Sequence, residues 1–213
     1  DYTNKSLLMP RGAIINGNLS EIHDVDLKDV NEIQEFVTHS WYRYADEKAG
    51  LHPLQGVTDP HFVLGPNTKG TKTRIEAVDE SAKYSWIKAP RWKGHAMEVG
   101  PLARYLIGYA MNKPEFKEPV DSLLSALGAP LEALFSTLGR TAARGLEAQW
   151  AAREQVRQFD KLMANIKAGN IATANVAQWD PKSWPAQCAG AGFAEAPRGA
   201  LGHWIKIDGG KID

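Results

Sequence analysis

One long apolar stripe constrains the fold of this chain more than any other feature. Between residues 131 and 168, Leu134, Phe135, Leu138, Ala142, Leu146, Trp150, Val156, Phe159, Leu162 and Ile166 recur mostly at three- and four-residue spacing, which places them near one stripe of an α-helix. Gly169 follows at once, and glycine commonly ends a helix by taking a left-handed conformation. The segment is longer than the ~10–14 residues of an average globular helix, so other elements or a partner chain must support it along one side. Gly139 and Gly145 inside it predict close approach of another backbone.

Smaller elements are expected around this helix. Residues 7–15 are strand formers interrupted by Pro10 and Gly12, which suits short or edge strands, and Asn16-Gly17 predicts a tight turn returning through Asn18 and Leu19. Val30, Ile33, Phe36, Val37 and Trp41 have helical spacing and predict a helix from Asp26 to about Tyr44. Residues 49–73, dense in Gly, Pro, Asn and Thr, predict an ordered loop. Residues 84–87 predict a short strand, and Pro101 suits the first position of a helix over 102–112. Residues 204–207, the Asp208-Gly209-Gly210 turn and Lys211-Ile212 predict a hairpin. The expected fold class is α+β and predominantly α, a long-helix bundle with short peripheral strands, in a single domain spanning 1–213.

Composition excludes several classes. Lys+Arg and Asp+Glu each total 25, giving zero formal charge, so nucleic acid is not an expected partner. At 43% hydrophobic residues with seven Trp, the chain has the apolar surface that a disordered protein lacks. The strongly apolar run from Tyr105 to Met111 falls far short of the ~20 residues needed to span a bilayer. The first six residues carry no secretion-signal pattern, so the start reads as internal or processed. The final hairpin stops early in its returning strand, and the chain reads as a section of a longer polypeptide. Cys188 is the one cysteine, so this chain alone offers neither a disulfide nor a site built on two thiolates. His23, His39, His52, His61 and His95 show no paired ligand spacing and are read as structural.

Gly65-Pro-Asn-Thr-Lys-Gly-Thr-Lys-Thr73 superficially resembles a phosphate loop, but Lys72 is displaced by one position. With no strand expected before it and no helix after, it reads as a solvated turn.

Chemistry concentrates in Gly192-Phe-Ala-Glu-Ala-Pro-Arg-Gly-Ala-Leu-Gly-His-Trp204. Ala196, Gly199, Ala200 and Gly202 leave room beside the backbone and Pro197 fixes φ. Arg198 offers a planar, five-donor cation to a compact, electron-rich group. The competing structural reading pairs Arg198 with Glu195 or another carboxylate to brace the loop. His203 either fixes that loop by hydrogen bonding or is an ordinary core histidine. In the second dense stretch, Lys88-Ala-Pro-Arg-Trp-Lys-Gly-His-Ala-Met-Glu-Val-Gly-Pro-Leu-Ala-Arg104, cations and one carboxylate surround a helix start. Glu98 there suits the positive end of the helix dipole, as a cap with surface ion pairs or as support beside a site.

These two strings, together with Gly50-Leu-His-Pro53, resemble the large subunit of nickel-iron hydrogenases over nearly the whole chain, in detail the membrane-associated uptake type. Two unrelated long strings in the right order make the likeness specific. The resemblance implies a centre of nickel and iron bridged by cysteine sulfurs, with carbon monoxide and cyanide on the iron, and heterolytic cleavage of H2. It further implies electron transfer to an iron–sulfur small subunit and onward to a membrane cytochrome b. The place it implies is peripheral, on the periplasmic side of the cell membrane, to which the two subunits are exported together.

By position, Arg198 resembles the arginine that overhangs the metals, while Ala196, Pro197 and Leu201 resemble the walls of the diatomic-ligand pocket. A guanidinium can hydrogen-bond anionic cyanide, and apolar walls suit carbon monoxide. Heterolysis needs a base beside nickel, and Arg198 is either a candidate for it or a stabiliser of charge, with proton transfer then through groups outside this section. No residue of this chain is assigned to metal, because the Cys-x-x-Cys pairs of the family are absent. The thiolates are expected outside this section, which alone is not expected to be active. Two other readings compete. One is the nickel-free quinone-reducing subunit of complex I, which tends to carry an acidic residue where Ala200 stands and lacks the following Gly-His-Trp. The other is a non-catalytic helical assembly subunit.

Overall fold

The computed structural model describes residues 9–27, 29–56, 59–60, 62–66, 72–78, 83–177 and 179–212, the short stretches 59–60, 62–66 and 72–78 by backbone alone. Two compact units make up the chain, residues 1–25 with 98–213 and residues 26–97.

The unit of residues 26–97 is built from short antiparallel pairs. Strand β1 (Ile33–Phe36) pairs with β6 (Ala89–Trp92), β2 (Tyr42–Arg43) with β3 (Asp59–Pro60), and β4 (Phe62–Pro66) with β5 (Lys72–Val78). The helix expected over 26–44 is not formed. Asp29 accepts a hydrogen bond on its carboxylate from the Asn31 backbone N–H at 2.8 Å, a local bond that competes with helix formation. Beyond it, Ile33 to Phe36 are opposite Trp92 to Ala89, and this distant pairing overrides the helical spacing.

Two further expectations change here. Residues 84–87 hold only an isolated bridge between Ser40 and Ser85, and the strand lies five residues later. The loop expected over 49–73 contains strand, and the phosphate-loop-like string has β4 before it and β5 after it, so no helix start faces that turn. Residues 67–71 of that string lie outside the described residues.

In the other unit, α1 (Pro101–Ala110), α2 (Pro114–Leu127) and α3 (Thr137–Lys167) pack around Leu102, Tyr105, Leu106, Phe116, Val120, Leu134 and Ala143. Tyr105 meets the Phe116 ring edge-on at 5.3 Å, and Phe116 stacks on Trp150 at 6.4 Å. α1 begins at Pro101 as expected. α2 went unforeseen because its two prolines dilute the pattern; Pro114 takes the first helical position, where no N–H is needed.

The long helix is broken once. Residues 131–135 form a 3-10 turn, and Ser136 caps α3 by accepting from the Gly139 N–H at 3.1 Å. Gly139 lies so close to the Leu134 backbone that a side chain there would collide with it, whereas Gly145 faces open space. Gly169 ends α3 in left-handed backbone. The first half of α3 is supported by α1 and α2, but Val156, Phe159, Leu162 and Ile166 in its second half remain exposed.

At the amino-terminal side the Asn16-Gly17 turn forms with both residues at positive φ, although only a single Ala13–His23 bridge flanks it. A three-stranded sheet of β7 (Gln187–Ala196), β8 (Gly199–Asp208) and β9 (Lys211–Ile212) closes the chain, with Gly209 and Gly210 at the second turn. The α+β class stands. Helix is unevenly placed: residues 26–97 contain none among the described residues, and β7–β8 adds a long hairpin to the helical unit. Among the described residues no helix is long and apolar enough to cross a membrane.

Candidate functional site

Arg198 stands at the tip of the β7–β8 hairpin. Ala196 pairs with Gly199, leaving Pro197 and Arg198 as a two-residue turn. The usual turns for such tight hairpins need positive φ at their first central residue. Proline cannot supply it, and Arg198 is not among the positive-φ residues either. This tip therefore has to be held from outside.

Arg104 on α1 holds it. The residue is 4% exposed, and its five N–H groups all have acceptors. Nε and Nη2 donate to the two carboxylate oxygens of Glu147 on α3 at 2.7 and 2.5 Å. Nη1 donates to Glu195 at 2.5 Å and to the Ala196 carbonyl at 3.1 Å. Nη2 also donates to the Pro197 carbonyl at 3.2 Å. Burial by itself disfavours the Arg104 charge. The hydrogen bonds and charges of Glu147 and Glu195 outweigh it and hold the pKa above the ordinary arginine value.

The start of α1 fits the same tip. Gly100 has φ +115, and a Cβ on it would lie 2.6 Å from the Arg198 carbonyl oxygen. Glu98, just before, takes both Nε and Nη2 of Arg140 from α3 at 2.7 Å. That hydrogen bond, against the opposing effect of burial, draws the Glu98 carboxyl below its usual range.

The four expected site residues share this tip. Ala196 is half-buried, Pro197 and Arg198 are exposed, and Leu201 is 46% exposed two rungs down β8, opposite Ala194. The structural reading of Arg198 as the brace is corrected: Glu195 is held by Arg104, and the Arg198 guanidinium makes no hydrogen bond or ion pair with a described residue. His203 is exposed and is neither loop clamp nor core residue. Glu98 proves to be half of an ion pair joining the start of α1 to α3. Arg104 and Glu147 went unassigned from sequence. The available signal was a cation set among Leu102, Tyr105 and Leu106 on an apolar helix face, a position that demands a buried partner.

Comparison with known proteins decides the family. The profile described as nickel-dependent hydrogenase matches residues 1–213. This chain belongs to the nickel-dependent hydrogenase family. It is 68% identical over 214 residues to the uptake hydrogenase large subunit of Bradyrhizobium diazoefficiens, covering 100% of this chain and 36% of that protein. It is 54% identical over 213 residues to the hydrogenase-1 large chain of Escherichia coli, covering 100% and 36%. Among solved structures, the reduced Ni-Fe-Se hydrogenase of D. vulgaris Hildenborough is similar with a TM-score of 0.66 and 30% identity, covering 100% of this chain and 38% of that one. The chain thus spans little more than a third of these relatives. The match supports the hydrogenase reading and neither of its two competitors.

A nickel-dependent hydrogenase needs ligands for its metals, and the donor set of the described residues does not fit that task. Among the described residues no group of three or more His, Cys, Asp or Glu could hold a metal ion. The single thiol, Cys188, is exposed on β7, and soft-metal sites of this kind require several thiolates. What this hydrogenase-family chain does present is a guanidinium, uncommitted among the described residues, on a braced hairpin tip.

Proposed function

We propose that this chain is part of the catalytic large subunit of a nickel-iron hydrogenase, which reversibly cleaves H2 to protons and electrons and passes the electrons to an iron–sulfur small subunit. The match along residues 1–213 supports the family, and the observation that carries the site is Arg198, exposed and without a hydrogen bond or ion pair among the described residues, on a tip that other residues hold in place. A nickel-iron centre with carbon monoxide and cyanide on its iron would take its thiolates from chain beyond these residues, since one cysteine cannot supply them.

In this reading Arg198 directs positive charge and up to five N–H donors at an anionic acceptor, while Ala196, Pro197 and Leu201 provide apolar surface beside it. With its planar set of donors Arg198 acts by stabilising charge and holding an acceptor in place. The likeness to uptake hydrogenases extends the proposal to a peripheral site on the periplasmic side of the membrane, with a cytochrome b as onward acceptor.

Arg198→Lys in the complete two-subunit enzyme tests the site. Lysine keeps the charge and loses the planar fork. H2 oxidation should fall at least tenfold with nickel and iron content intact, as expected for losing about 1.4 kcal/mol or more of transition-state stabilisation. Near-normal oxidation with intact metals would overturn the assignment. Absence of nickel and iron from the complete wild-type protein would overturn the function.

A further inference from the structure

We propose that Arg104 is the positioning residue for Arg198: it builds no part of the reacting site itself but sets where the Pro197-Arg198 turn stands. The inference rests on the assignment of Arg198 above and adds a residue from a different element, more than ninety positions earlier in the chain.

Three observations carry it. The turn lacks the backbone geometry that makes tight hairpins self-supporting, as Pro197 excludes positive φ at the first central position and Arg198 does not adopt it. Arg104 meets that need at the peptide adjoining Arg198, donating to the Ala196 and Pro197 carbonyls, and it anchors the preceding strand residue through Glu195. The third is Gly100, one helical turn before Arg104, which has no side chain and lies against the Arg198 carbonyl.

Arg104 is itself anchored. Glu147 takes two of its donors in a planar, two-pronged contact from α3, which fixes the guanidinium plane and hence the direction of the N–H groups that reach the tip. With every donor used and only 4% of its surface exposed, Arg104 has nothing left to offer a substrate. Lysine cannot replace it, because three rotatable donors on one nitrogen cannot reach two carboxylates and two carbonyls in one plane.

The test uses the complete two-subunit enzyme, with Arg104→Lys, Arg198→Lys and the double variant. Hydrogen–deuterium exchange is followed at residues 195–201 and, separately, at α1 and α3. Arg104→Lys is expected to raise exchange at the tip at least tenfold while α1 and α3 keep wild-type rates, and to lower kcat for H2 oxidation at least tenfold. In the Arg198→Lys background the same change should cost less than threefold more, since Arg104 acts through Arg198.

Wild-type exchange at the tip, a rise spread equally over α1 and α3, or a full second loss in the double variant would each overturn the positioning role. If Arg104→Lys does not assemble, Glu195→Gln removes one strut only and is judged by the same exchange and kcat criteria. Should Arg198→Lys prove fully active, the Arg198 assignment fails, whereas the bracing by Arg104 is still decided by exchange at the tip.

Discussion

Glu147 and Arg104 face each other across α3 and α1 in a two-pronged contact, with N–O distances of 2.7 and 2.5 Å. The pair is deeply set, the side chains being 16% and 5% exposed. Its worth therefore lies in what happens when one half is removed, because the remaining charge has little water to turn to. Glu147→Gln keeps the shape and deletes the charge. Glu195 still partners Arg104, so the expected cost is at the lower end for a broken buried pair, about 3 kcal/mol. The check is the thermal unfolding midpoint of the complete enzyme, which should drop by several degrees; an unchanged midpoint would mean that Arg104 is solvated.

Gly100→Ala probes the tip from the opposite side. The new Cβ would stand 2.6 Å from the Arg198 carbonyl oxygen, at a φ of +115 that side chains rarely adopt. The strain is of order 1–3 kcal/mol, and its relief pushes the Arg198 turn outward. H2 oxidation should fall on the order of 100-fold if the displacement reaches about 1 Å. Gly128→Ala serves as control: its φ of +60 is also positive, but nothing lies within 4 Å of the added carbon. It should cost about 1 kcal/mol of stability and leave H2 oxidation unchanged. Equal activity in the two variants would remove the tip from the mechanism.

The unit of residues 26–97 contains its own buried carboxylate, Glu32. It accepts from Trp92 Nε1 and the Asp26 N–H at 2.9 Å and from Lys93 Nζ at 2.8 Å. Burial pushes its pKa up, but these bonds and the Lys93 charge outweigh burial and draw it below the ordinary 4.5. A carboxyl with a depressed folded-state pKa stabilises the fold fully above its unfolded pKa and loses that contribution as pH falls through the folded value. Wild type should therefore exceed Glu32→Gln in stability at pH 7, and the gap should narrow steadily below about pH 4.5. Chemical denaturation followed through the Trp92 environment at a series of pH values measures it. A gap that widened on acidification would contradict the sign.

Local rules made part of this structure readable. Pro101 opens α1, Gly169 closes α3, Asn16-Gly17 and Gly209-Gly210 turn the chain, and the stripe from Leu134 to Ile166 runs along helix apart from the break at Ser136. Each depends on the conformational preference of one residue or on spacing within a few turns, so neighbours in sequence suffice. The family was legible for the same reason, since contiguous strings carry it.

The rest required the folded chain. Ile33 to Phe36 became strand because Ala89 to Trp92 lay waiting as partner, and no spacing within residues 26–44 encodes that. Arg198 and Arg104 are both arginines a few positions after a glutamate, and nothing in their local strings says which one takes the carboxylates. That choice is made by distance alone: Glu147 and Glu195 converge on Arg104 from separate elements, and a charge removed from water binds whatever opposite charge the packing delivers. Sequence by itself determined which cations and carboxylates the chain carries; only the tertiary structure decided which arginine those carboxylates hold, because packing sets the distances between elements far apart in sequence.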